Sequence, residues 1–417
     1  MKEDWYELIG EGRLECLAPR ADFRVPSDPV VCVGEAMAGA GFGDFVAAAA
    51  ANGGPLSVVV NDAHRFTDTR SFIAALLLGL QETAASRIPL RLLVATGTHR
   101  ADANERSDHE GAMLGDSAER FDEISWHDAH HSEGLRRLGA HEFHHWMAEG
   151  GCYLACGSME PHYFAGVTGA HKTLTVGVMS AASIQANHAH AMSADAAGLR
   201  LDGNPVHEGI VGALGELENS GARLFAVNQV LTAGHMVACN AGHPLAALES
   251  GLPTVRHCFA HEVDARADLV IACVEPPLDR DLYQADKGIK NTEAAVRDGG
   301  VLIMEAACRQ GLGIDHFVEL LSVAATHTEA LAVVERRGYR LGDHKAVRLR
   351  ALTDRRRVRV GIVTTGIDRA MEGVLGARVF ATRAQAAAWA LQLLGDRPRC
   401  LLVEDAGNVS VSVGDGA

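Results

Sequence analysis

Short apolar runs that stop abruptly in polar residues recur along this chain, and they constrain its fold more than any other feature. Residues 55–61 read Pro-Leu-Ser-Val-Val-Val-Asn and lead into Asp62. Residues 90–95 form a second run, ending in Thr96-Gly97-Thr98-His99-Arg100, and residues 73–86 between them are amphipathic with helical spacing. Residues 152–156 are a third run, and 267–273, 299–304 and 358–363 repeat the pattern. A strand, a helix and a strand with polar residues at each carboxyl end predict a parallel sheet. A chain of 417 residues is long for one core. The fold class expected is therefore α/β: two α/β domains with mostly parallel sheets and the active site in the cleft between them. The expected N-terminal domain is 1–258 and the C-terminal domain 259–417, with residues 249–253 as a linker.

Charge and cysteine usage exclude several classes. A formal charge of −15 argues against a nucleic-acid partner and against docking to an acidic membrane. No apolar stretch of about 20 residues predicts a membrane span. The first ten residues are acidic and lack a signal-peptide core. Nine cysteines are an odd number, and Cys32, Cys239, Cys273 and Cys308 lie in apolar, strand-like runs. They read as buried thiols in a reducing cytoplasm. Cys152 and Cys156 have no second pair to complete a zinc site.

Candidate chemistry is densest in residues 160–190. This stretch carries His162, a glycine-rich turn (Gly166, Thr168, Gly169), Lys172 directly after the turn, and His188. Glycines let backbone approach a phosphate closely. A lysine there can neutralise a phosphate or be joined to a cofactor, and a neutral imidazole suits a late first-row metal. The bland alternative is a phosphate-binding or structural loop with two incidental histidines. Two other patterns compete. Residues 39–45 read GAGFGDF, a faint dinucleotide fingerprint whose third glycine is out of register. His141-Glu142-Phe143-His144-His145 satisfies HExxH, which on a helix places two zinc ligands on one face beside a carboxylate. It predicts a zinc metallohydrolase as the rival function.

The order of these motifs resembles the nickel-dependent lactate racemase family. Asp62-x-x-Arg65, Gly97-Thr98-His99-Arg100, Pro161-His162, the turn from Gly166 to Gly169, Lys172, Asn187-His188 and Tyr283-Gln284-x-x-Lys287 follow the family's sequence of motifs over residues 55 to about 350. The resemblance implies a cytoplasmic isomerase, a racemase or epimerase inverting C2 of a 2-hydroxy acid by reversible hydride transfer to a nickel-pincer nucleotide. It implies Lys172 as the covalent anchor, with Asp62, Gly166, Thr168 and Gly169 around the nucleotide. His188 would ligate Ni(II), and His99 and His162 would be the acid/base pair. Arg65, Tyr283, Gln284, Lys287 and Lys345 would contact a small anionic 2-hydroxy acid. Cofactor-synthesis enzymes are the implied partners. A non-catalytic nickel- or nucleotide-binding protein is the third reading. The chain also departs from the family. His64 stands where threonine is expected, Ala170-His171 replace Gly-Ala, and residues 342–346 replace a region bearing tryptophan. Lys345 and His64 imply a substrate larger or more polar than lactate.

Overall fold

The computed structural model describes residues 2–10, 13–395 and 397–414. The chain divides into two compact units, Arg20–Cys258 and Met1–Pro19 with Phe259–Ala417. The first residues belong with the C-terminal unit because β1 (Leu14–Leu17) pairs in parallel with a strand near the chain's end, Cys400–Val403. Sequence alone grouped them with the N-terminal domain.

The N-terminal unit is built on β2 (Leu56–Asn61), β3 (Leu90–Ala95), β4 (Glu123–Trp126), β7 (Cys152–Ser158), β10 (Arg223–Thr232) and β11 (His235–Gly242). Their order is β11-β10-β7-β2-β3-β4, and every pairing is parallel except that of β10 with β11. Two small antiparallel ribbons complete it: β5 (Leu135–Leu138) with β6 (His141–His144), and β8 (Pro161–His162) with β9 (Gly166–Val167).

Strand alternation sorts side chains between the two faces. Val58, Val60, Leu92 and Val94 pack on one side, under the helices Pro29–Gly39, Phe42–Ala51 and Thr69–Gln81. Val59, Leu93 and Ala95 pack on the other, with Leu174, Ile184, Ile210 and Leu214. Both faces are covered, which is why the strands read as largely apolar runs.

In the C-terminal unit β12 (Ala260–Val263) pairs with β18 (Ser410–Val413). The main sheet contains β1, β13 (Ala267–Cys273), β14 (Val296–Glu305), β15 (Arg359–Val363), β16 (Arg378–Phe380) and β17 (Cys400–Val403). It is parallel throughout, in the order β1-β17-β13-β14-β15-β16.

Several local expectations change. Residues 249–253 are not a linker but the interior of the helix Pro244–Phe259, which carries Pro253. The chain reverses between β10 and β11 at Ala233 (φ 49°) and Gly234 (φ 79°). Cys32 lies on a helix and Cys308 in a turn at φ 47°. All nine cysteines are free. No single helix among the described residues is long and apolar enough to cross a membrane.

Candidate active site

Strand order around β2 locates the site. The chain runs β2-β3-β4 toward one edge, and β7 then returns to the other side of β2. Such a reversal opens a crevice at the carboxyl ends of the strands. A cleft of about 700 Å³, part of it open to solvent, lies there, lined by residues of the N-terminal unit alone. It brings together Asp62 and Arg65 after β2, His99 after β3, and His162, Thr168, Gly169 and Lys172 after β7. His188 joins them from the helix Ala181–Ala189. Gly166 is not in this lining. A Cβ there would lie 2.4 Å from the Arg200 carbonyl oxygen, so its glycine serves close packing. Gly169 (φ 152°, ψ 178°) takes a conformation essentially confined to glycine, and helix begins at Ala170, so the alanine costs nothing.

Asp62 organises one wall. Its Oδ2 accepts hydrogen bonds from His99 Nδ1 at 2.9 Å and His64 Nδ1 at 3.0 Å, and its Oδ1 accepts the His64 backbone N–H. The two rings stack with centroids 3.9 Å apart. Burial alone would raise the Asp62 carboxyl, but the charge on His99 and the hydrogen bonds from both rings outweigh it and hold the group well below the usual carboxylate range. A carboxylate only accepts, so Nδ1 of His99 keeps its proton, and in the neutral ring the lone pair is on Nε2. His162 is arranged the other way: its Nδ1 accepts the Ala165 N–H at 3.3 Å, leaving the proton on Nε2.

Two further residues of the lining, Lys172 and His188, are both shifted toward their neutral forms. Lys172 is buried, and burial, reinforced by the charge of Arg65, drives its amine well below the ordinary lysine range. No hydrogen bond or ion pair engages that amine among the described residues. Burial, then the Lys172 charge, pushes His188 down to about 3. Its Nδ1 lies 3.2 Å from Asn187 Oδ1, a bond that favours a lone pair on Nε2.

Three amides with no role assigned from sequence fix this frame. Asn61 donates to Thr67 Oγ1 at 3.0 Å and accepts from Thr173 Oγ1 at 2.8 Å, tying the Arg65 loop to the turn bearing Lys172. Asn228 accepts the Ala170 N–H at 2.8 Å. Asn187 donates to the Val206 carbonyl at 3.0 Å. Asn61, next to Asp62 at a strand end, and Asn187, before His188, carried a sequence signal, and Asn228 carried none. The Thr168 hydroxyl is also engaged internally, by Ser158 and Glu160.

In the C-terminal unit Tyr283, Gln284 and Lys287 lie on the helix Leu282–Thr292, capped by Asp281, and Lys345 on the helix Asp343–Arg350. Lys345 Nζ donates to the Tyr283 carbonyl, sits 4.4 Å from the Tyr283 ring centroid and lies 3.7 Å from Asp286. Burial, partly offset by Asp286, lowers its amine to about 8.

The zinc-hydrolase reading fails on backbone geometry. HEFH is the strand β6, so His141 and His145 do not share a helix face. His141 Nδ1 bonds Glu216 at 2.8 Å and His145 Nδ1 faces the Gly134 carbonyl. The GAGFGDF segment follows a helix, not the strand a dinucleotide fingerprint needs.

Residues 21–199 match the family model of the lactate racemase N-terminal domain, and residues 263–345 that of the lactate racemase C-terminal domain. The chain belongs to the lactate racemase family. The lactate racemase of Thermoanaerobacterium thermosaccharolyticum is 30% identical over 239 residues, covering 55% of this chain and 54% of that one. That of Lactiplantibacillus plantarum is 28% identical over 276 residues, covering 64% and 63%. The chain thus matches between about half and two thirds of the length of these curated relatives. Its fold resembles the lactate racemase apoprotein from T. thermosaccharolyticum, with TM-score 0.83, 23% identity and 96% of each chain covered. A Thermotoga maritima protein shares the fold at TM-score 0.71 and 14% identity, covering 94% of this chain and all of that one.

Proposed function

We propose that this lactate racemase family member inverts C2 of a 2-hydroxy acid, with a nickel-pincer nucleotide anchored on Lys172. The observation that carries the reading is the convergence of Arg65, His99, His162, Lys172 and His188 on one cleft. The residues fit the group: Lys172 offers a buried amine held toward its nucleophilic, neutral form, and His188 a neutral imidazole for Ni(II). The bound nucleotide supplies the acceptor for the C2 hydrogen and its electron pair, which no side chain can provide.

The chain's own residues do the rest. Arg65 suits bidentate binding of the substrate carboxylate, which holds C2 still while it changes configuration. His99 takes the hydroxyl proton at Nε2, and Asp62 stabilises the imidazolium that results. His162 presents Nε2–H and gives a proton back. Rings in opposite tautomers match the two directions of an inversion. Asp62 and Gly169 bound the nucleotide's space. The substrate on this reading is larger or more polar than lactate.

Co-expression with cofactor-synthesis enzymes tests this. A mass increment on the Lys172 peptide, one nickel per chain and stereochemical exchange on a panel of chiral hydroxy acids are expected. Full activity in Lys172→Ala overturns the anchor. A loaded protein that exchanges none of the acids overturns catalysis in favour of a carrier.

A further inference from the structure

His64, bonded to the cleft residue Asp62, offers a donor that the reading above leaves without a task. Its Nδ1 and that of His99 lie 3.0 and 2.9 Å from one oxygen, Asp62 Oδ2. Donor atoms of the three residues all fall within 4.8 Å of one another, and no other such group of three or more occurs among the described residues. We propose that Asp62, His64 and His99 form a binding site for a late first-row divalent cation such as zinc, distinct from His188.

The geometry supports this at each ligand. A first-row ion bound at about 2.0–2.2 Å holds its ligand atoms roughly 3.0–3.5 Å apart, close to the spacing already present. Two nitrogens and one carboxylate oxygen favour zinc, cobalt, nickel or copper over magnesium or calcium. Asp62 stays anchored through Oδ1, which accepts the His64 backbone N–H at 3.1 Å, so Oδ2 can turn to the ion without freeing the side chain. Side-chain exposure rises from 6% at Asp62 through 15% at His64 to 31% at His99, which gives the ion a way in from solvent. The rings, now stacked at 27°, must fan apart to aim both nitrogens at one point.

Coordination of a neutral ring through Nδ1 moves its proton to Nε2 with no net release, and a ring that starts as imidazolium gives one proton to solvent. For His99 that removes the basic Nε2 lone pair. On the function proposed above the ion would therefore silence the site, but cation binding itself does not depend on that function.

The test uses the full chain expressed without cofactor-synthesis enzymes, titrated with Co(II) by visible absorption and with Zn(II) against a chromophoric chelator. One equivalent bound at micromolar Kd or tighter is expected. His64→Thr should weaken it at least tenfold, and His145→Ala should leave it unchanged. His64→Asn serves as a second variant, with circular dichroism confirming the fold of each. Wild-type affinity in both folded His64 variants, or no uptake below millimolar zinc, overturns the site. Should neither variant fold, anomalous scattering from zinc-soaked wild-type crystals decides: a peak among the three donors supports the site, and its absence there overturns it.

Discussion

Lowering the pH from 7 to 5 should strip several kcal/mol from the N-terminal unit, because it buries neutral imidazoles. Burial pushes His127 down to about 4, and His144 and His188 to about 3. Their unfolded pKa lies near 6.5. Between those values the unfolded chain binds protons that the folded chain refuses, so stability falls as pH falls. At pH 5 each group contributes about 2 kcal/mol of loss relative to pH 7, or about 6 kcal/mol for the three. His171 and His207, lowered chiefly by burial, push the same way. The depressed carboxyl of Asp62 opposes none of this, since its stabilisation is lost only below the ordinary carboxylate range. A loss of about 6 kcal/mol rivals the whole stability of many domains. Urea unfolding followed by tryptophan fluorescence reads it, Trp146 lying 5.2 Å from His144, centroid to centroid. His127→Gln, which keeps a donor for the Met179 carbonyl that His127 Nε2 bonds at 2.8 Å, should cut the pH 7-to-5 loss by about 2 kcal/mol. Equal losses in wild type and variant, or stability flat across this range, would refute the reasoning.

Three further outcomes follow from packing and hydrogen bonding. Gly157→Ala places a Cβ 2.6 Å from the Ala170 nitrogen and 2.8 Å from the Gly169 carbonyl carbon, both backbone. It should cost about 1–3 kcal/mol in chemical denaturation and displace the turn bearing Lys172. Arg350→Met removes bonds to the carbonyls of Ala324, Leu375, Leu321 and Val374, and should destabilise the C-terminal unit by more than about 3 kcal/mol. Asp62→Asn leaves His99 without its charged acceptor. On the proposed function it should lower kcat roughly 100-fold or more with little change in KM, as steady-state kinetics would show.

What sequence could reveal here was whatever is local. Strands β2, β3, β7, β13 and β14 were legible because burial on both faces leaves a largely apolar run, and polar residues at their ends marked the cleft. The brackets that hold the cleft were not legible. Thr173 reaches Asn61, and Ala170 reaches Asn228, across spans of sequence that leave no local trace. HEFHH misled because a spacing motif carries meaning only on a helix, and Gly139 (φ 61°) turns the chain into a β-ribbon instead. Pro253 suggested a break, yet the helix Pro244–Phe259 runs through it to finish at the unit boundary.

The pairing of β1 with β17 makes the N-terminal unit an insertion within the C-terminal one. The two ends of that insertion meet, Arg20 N–H donating to the Cys258 carbonyl at 2.9 Å. On the ribosome the inserted unit has its whole sequence as soon as Cys258 emerges, and it can close on itself at once. β1 must instead wait for Cys400–Val403 to be made before it gains its neighbour in the sheet.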